Sequence, residues 1–383
     1  MAERTPALAY PPGDFLKEEL EARGWTQGTL AEVMGRPVQF ISEVASGKKI
    51  VTPETACGLA EAFGTSAEFW LNLEVAYRLW LVRSSEPKVG KPPGEVAKRA
   101  KLYEFSPVKD MVKRGWISAT ESADDLEASL NDFYGREVLG PEAIGFPMAA
   151  RKSTDYSVPA TPAQSAWARR AAQLARSVKA AKFDLNAFRM GLIGFHNFVT
   201  HEASVQKTPA ALADLGVRLV IVEHLPQSEI DGAAFWLDDE QPVIAMSMRH
   251  DRLDNFWFTL AHELAHIHYE DRDSFDDNLV GKGCVSTDTK PDIERRADLW
   301  AANYLLSVEE LDRFILRTRP YYSKARINQF ANRIKVHPAI IVGQLQRRGE
   351  IAYSHSREVL VKVRESVITS ATIDGWGQVP IIR

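Results

Sequence analysis

The five residues His262-Glu263-Leu264-Ala265-His266 constrain this chain more tightly than any other part of it. Histidines four apart lie one turn above each other on a helix, so a helix here lets both rings reach one cation. Leu260, Leu264 and Ile267 fall at i, i+4 and i+7 and give that helix an apolar back, which turns the two rings toward a cleft. Glu263 is then beside the cation and not on it, where a general base takes a proton from water. The competing reading is a surface helix with two solvated histidines.

Two histidines and a water leave a tetrahedral zinc one protein ligand short. Beyond the polar stretch 271–291, Ile293, Ala297, Ala301 and Leu305 mark a second amphipathic helix, with Glu294 and Asp298 as an i, i+4 pair on its flank. Glu294 is the expected third ligand, giving one Zn2+ per chain. Asp298 is placed to accept the remaining ring N–H of a ligating histidine, or else is a solvated charge beside Arg295 and Arg296. Candidates to stabilise an oxyanion are His268, Tyr269, Tyr304 and His337. Residues 217–222 and 243–246 are short apolar runs between turn residues and read as strands. A strand beside the metal helix can hold a substrate backbone by strand addition, or serve only as core.

Several motifs together resemble the ImmA/IrrE family of zinc metallopeptidases: Asp231-Gly232-Ala233-Ala234-Phe235-Trp236-Leu237, Pro242-Val243-Ile244-Ala245-Met246-Ser247, and Phe256-Trp257-Phe258-Thr259 leading into His262. The 294–306 helix and Val336-His337-Pro338-Ala339-Ile340-Ile341 extend the likeness, which covers roughly the second half of the chain. It implies an α+β zincin-like fold and a peptidase that cleaves regulatory proteins, often repressors. Family members commonly carry Glu where this chain has Arg296.

The first eighty residues follow another pattern. Leu16, Leu20, Leu30, Val33, Ile41, Val44, Leu59 and Phe63 recur at helical intervals broken at Gly24, Gly35, Gly47 and Gly64, which predicts four or five short helices. Residues 26–35 and 36–43 have the layout of a helix-turn-helix, with Gly35 in the turn and Pro37 at a first helical position. Residues 10–80 resemble the DNA-binding domain of HigA-type antitoxins within the Cro/repressor-like family. That likeness implies base-edge contacts from Gln39, Phe40 and Ser42 and phosphate contacts from Gln27, Lys48 and Lys49. Residues 1–80 hold seven Lys and Arg against eleven Asp and Glu. An acidic module of this kind reads double-stranded DNA through a local basic patch and as a homodimer, or has become a helical interaction domain.

Between the two patterns, residues 83–93 are rich in Pro, Ser and charge and read as a linker. Residues 95–133 read as helical, 151–162 as a flexible loop, and 163–183 as one basic helix carrying Arg169, Arg170, Arg176, Lys179 and Lys182. That helix is a solvated face or an extension of a nucleic-acid footprint. Two cysteines, Cys57 and Cys284, exclude a disulfide framework, and no signal segment or membrane-length apolar run occurs, which predicts a cytoplasmic protein with no membrane partner.

The expected fold class is multi-domain: an all-α helix-turn-helix domain over 1–83, a mostly helical connector over 84–185, and an α+β zincin-like metallopeptidase domain over 186–383. The expected function is a DNA-binding regulatory zinc metalloendopeptidase acting on a repressor or antitoxin-type regulator at a stress-response or toxin–antitoxin locus. The alternative is an antitoxin or transcription regulator whose zinc domain senses a partner, such as a cognate toxin, without turnover. A purely structural zinc is the third reading, though such a site has no need of Glu263.

Overall fold

The computed structural model describes residues 9–84, 94–139, 150–152, 160–238, 240–271 and 292–377, with backbone alone at 150–152. Most of the expected linker, most of the expected flexible loop, the polar stretch after Asp271 and Cys284 lie outside the described residues. The chain divides into two compact units, Met1–Val96 and Ala97–Arg383.

Among the described residues the first unit holds five helices: α1 (Pro12–Ala22), α2 (Gln27–Val33), α3 (Val38–Ala45), α4 (Pro53–Phe63) and α5 (Ala67–Ser84). Thr26 and Thr52 cap α2 and α4 by accepting the N–H of Thr29 and Thr55. Gly35 takes the turn between α2 and α3 at φ +61°, a left-handed conformation that glycine adopts without steric penalty. Pro37 is the N-cap of α3, one place earlier than expected, and helical geometry begins at Val38. Leu16, Leu30, Ile41, Leu59 and Trp70 form this unit's core.

The second unit is built on a five-stranded mixed sheet of β1 (Ala150–Lys152), β2 (Arg218–Val222), β3 (Ile230–Trp236), β4 (Pro242–Met246) and β5 (Thr372–Asp374), in the order β1-β3-β4-β2-β5. The β1–β3 and β3–β4 pairs are antiparallel, while β2 is parallel to both β4 and β5. Alternation along β2 sends Leu219 and Ile221 to one face and Val220 and Val222 to the other, so both faces are covered.

One cover consists of α6 (Glu95–Phe105), α7 (Val108–Lys113), α8 (Ala123–Tyr134) and α9 (Pro162–Ala175), whose Leu102, Met111, Leu130 and Trp167 share a core with Val220 and Phe235. The segment expected to connect two domains thus forms one layer of the second unit. The expected single helix over 163–183 ends at Ala175, because the chain turns there and Ala181 N–H donates to Ala213 O. Arg169 donates to Phe133 O and Arg170 pairs with Asp374, so both arginines tie α9 to its neighbours and offer no continuous basic face.

The other cover holds α10 (Leu185–Phe195), α11 (Thr208–Asp214), α12 (Leu253–His268), α13 (Asp292–Leu305), α16 (Pro338–Arg347) and α17 (Arg364–Ile368), while α14 (Val308–Thr318) and α15 (Lys324–Ile334) pack on the far side of α16 in a cluster of their own. The apolar back of α12 is as expected: Leu260, Leu264 and Ile267 are buried against this face. Truncating Leu264 to Ala would cost about 2–5 kcal/mol. That packing fixes which side of α12 its histidines present.

Candidate functional site

His262 and His266 leave α12 one turn apart, and Glu294 enters from the first turn of α13, against which α12 packs. His262 Nε2 lies 3.1 Å from His266 Nε2 and 3.1 Å from Glu294 Oε2, and His266 Nε2 lies 3.5 Å from Glu294 Oε1. All three side chains are buried. Donors about 2.0–2.1 Å from a tetrahedral ion stand about 3.3 Å from each other, so the three fit one zinc-sized cation.

The outward nitrogens support the same arrangement. His262 Nδ1 is 2.9 Å from Asp298 Oδ1, and His266 Nδ1 is 3.0 Å from Asp271 Oδ2. A carboxylate at Nδ1 holds the proton there, which leaves both Nε2 lone pairs directed at the shared point.

Asp298 therefore stands where the helical spacing puts it, whereas Asp271 is not foreseen by any spacing. Glu270 closes α12 in the left-handed region at φ +56°, and Asp271 N–H donates to His266 O at 2.9 Å, folding the chain back onto the ring. Burial alone would raise the Asp271 carboxyl, but hydrogen bonds from His266 and Arg296 and their charges hold it below its ordinary value. Arg296 pairs with Asp271 and lies 4.1 Å from the Tyr269 ring centroid, so it anchors this carboxylate instead of facing the ligands.

Glu263 is fully buried and faces the sheet, and a Cβ added at Gly232 on β3 would lie 2.9 Å from its Oε1. Only a residue without a side chain leaves room there for the carboxylate. Of the four oxyanion candidates, Tyr304 donates its hydroxyl to Leu192 O and His337 accepts the N–H of Ala339 as the cap of α16. His268 lies tilted against Trp300, ring centroids 5.3 Å apart, its own imidazole kept toward the neutral form by burial. A cation the sequence pattern does not single out stands nearby: Arg347 Cζ lies 3.1 Å from the Phe258 ring centroid, and Phe258 is one turn before His262.

On α3, Gln39 and Ser42 are exposed, and Gln39 Nε2 donates to Glu43 Oε1 at 3.1 Å. Phe40 is half-buried, its ring flanked by Lys49 Nζ at 4.6 Å and Arg36 Cζ at 5.5 Å. Lys48 and Lys49 are exposed just past α3, and Gln27 is half-buried at the start of α2. Lys49 is 3.8 Å from Glu43 and Arg36 is 2.8 Å from Glu54, so each cation is already opposed by a carboxylate. The spacing brings all six expected residues to the helix-turn-helix and its edge, and the structure adds Arg36.

Two family profiles match the chain: helix-turn-helix over residues 16–70, and the IrrE N-terminal-like domain over residues 214–345. Antitoxin HigA-1 of Vibrio cholerae is 40% identical over 84 residues, which are 21% of this chain and 79% of that protein. An addiction module antidote protein of a HigA family from Coxiella burnetii, of known structure, is 32% identical and covers 22% of this chain and 97% of its own, with a TM-score of 0.19. A Pseudomonas aeruginosa protein solved in complex with its operator DNA is 22% identical and covers 23% of this chain and 99% of its own, with a TM-score of 0.21.

Proposed function

The chain belongs to the HigA-type helix-turn-helix family through its first unit and carries an IrrE N-terminal-like domain in its second; on that premise we propose that it is a DNA-binding regulatory zinc metalloendopeptidase. The observation that carries this reading is the convergence of His262, His266 and Glu294 on one point, with Glu263 next to His262 in the chain and buried against Gly232. When bound, a zinc ion supplies Lewis acidity for the attack of water on a peptide carbonyl.

The chain's own residues do the rest. His262, His266 and Glu294 hold the cation, and Asp298 and Asp271 keep the two imidazoles in the tautomer that can ligate. Glu263 accepts the proton of the attacking water and returns it to the leaving amine. Gln39, Phe40 and Ser42 approach base edges of an operator, and Gln27, Lys48 and Lys49 its phosphates, in a homodimer. The substrate is a regulator protein of the repressor or antitoxin kind. The buried Glu263, next to His262 in the chain, supports chemistry over the alternative of a zinc domain that only senses a partner, since ligation alone does not require it.

Mapping of new protein N-termini in cells that express the wild type or Glu263→Gln tests the proposal. New termini in at least one regulatory protein are expected with the wild type only. Identical termini in both, with zinc bound in both, would favour the non-proteolytic regulator.

A further inference from the structure

Gly232 approaches Glu263 so closely that an added Cβ would also lie 2.8 Å from the Thr259 methyl, which makes β3 the strand that lies against this carboxylate. One side of β3 is taken by β4, with Gly232 opposite Met246. Its other side carries β1, antiparallel, with Ala150 opposite Ala233 and Lys152 opposite Ile230. The far edge of the sheet belongs to β5, separated from β3 by β4 and β2. An extended peptide that joins the sheet beside Glu263 must therefore use the backbone groups that β1 now uses.

The occupant is a weak one. β1 is three residues long, and its register shifts between Ala150 and Lys152. Short strands with irregular pairing make few ladder bonds and exchange readily. β3, by contrast, is buried along its whole length and braced by β4, so it is the fixed half of the pair.

We infer that the outer edge of β3 is the docking line for an extended, unfolded segment of a protein substrate, and that residues 150–152 fill it as a substrate-like strand of the chain's own. This rests on the peptidase reading above. A tethered strand competes at an effective concentration of order millimolar, so short free peptides bind about tenfold more weakly than they would to an open edge. A long unfolded segment, or one delivered by a partner bound elsewhere on the chain, displaces it.

The test uses the full chain with zinc and a fluorescent peptide of the sequence 146–156. Arg151→Pro removes a donor from the middle of β1, and Ala150→Cys with Ala233→Cys ties β1 to β3 when oxidised. Arg151→Pro is expected to bind the peptide about tenfold more tightly than the wild type and to speed amide exchange over residues 230–234. The oxidised double-cysteine chain is expected to bind none, and reductant to restore wild-type binding. Faster exchange at 230–234 without tighter binding, or undiminished binding to the oxidised chain, overturns the inference. If Arg151→Pro does not fold, the oxidised and reduced chains decide alone. None of these readouts needs cleavage, so tighter binding in a chain that never cleaves contradicts the peptidase reading and leaves the docking edge standing.

Discussion

His262 and His266 share a feature that the four-residue spacing does not give: each turns Nδ1 to a carboxylate and Nε2 to the common point. Asp298 is legible in the sequence because it lies on the same helix as Glu294, one turn on. Asp271 is not, because its position depends on the left-handed Glu270 that reverses the chain after α12, and helical periodicity stops at the helix end. Replacing either carboxylate by Ala should weaken zinc binding about 10–100-fold, as measured by competition with a chromogenic chelator. Unchanged affinity in Asp271→Ala would show that this contact positions nothing. Imidazoles away from the ligands respond to pH in a defined direction. His196, His224 and His337 are all held below the ordinary value of 6.5, chiefly by burial. Their folded pKa values are depressed, so the stability they allow is complete above 6.5 and is lost as pH falls from 6.5 through the folded values. Imidazole titration by NMR should place all three below 6.5, and the unfolding midpoint should fall in the same window. A value above 6.5 for any of them would contradict the burial argument.

Elements meet at glycines that the sequence shows only as helix breakers or turn residues. Gly13 in α1 faces the end of α3, where a Cβ would lie 2.4 Å from Ala45 O. Gly13→Ala must therefore push the two helices apart and destabilise the first unit by about 1–3 kcal/mol, read as faster amide exchange in α1 and α3. Gly232 plays the same part between β3 and α12. Gly232→Ala should displace Glu263 and lower kcat about 100-fold while zinc content stays at the wild-type level. Loss of zinc along with activity would mean that the added methyl disturbs the ligands themselves. The strands β2 and β4 and the helices α12 and α13 were readable from periodicity. The end of α9 and the strand β1 were not, because a backbone bond to α11 stops the one and pairing with β3 creates the other. The α15–α16 pair, like α2–α3, is joined through a left-handed residue, Lys335 at φ +57°, the C-cap of α15. Here the second helix buries Ala339, Ile340, Ile341 and Leu345, so it builds core and leaves no face for a base edge.

The molecule as a whole combines two units with separate cores, and the sequence separates their motifs more clearly than their boundaries. Residues 97–185 carry apolar patterns that fit a self-contained helical connector equally well, and only the sheet face they cover assigns them to the second unit. Net charge is uninformative at this scale, since the proposed phosphate contacts Lys48 and Lys49 lie in a unit where acidic residues outnumber basic ones. Lys48→Ala should lower the slope of DNA affinity against salt by about one on a logarithmic scale, measured by fluorescence anisotropy; an unchanged slope would remove Lys48 from the phosphate contacts. Among the described residues no helix is long and apolar enough to cross a membrane. The central claim is that His262, His266 and Glu294 hold one zinc ion with Glu263 beside it and not on it. Native mass spectrometry of the full chain tests this most directly. The account predicts one zinc per chain in the wild type and in Glu263→Gln, and none in His262→Ala or Glu294→Ala; zinc retained in Glu294→Ala, or absent from the zinc-supplied wild type, would contradict it.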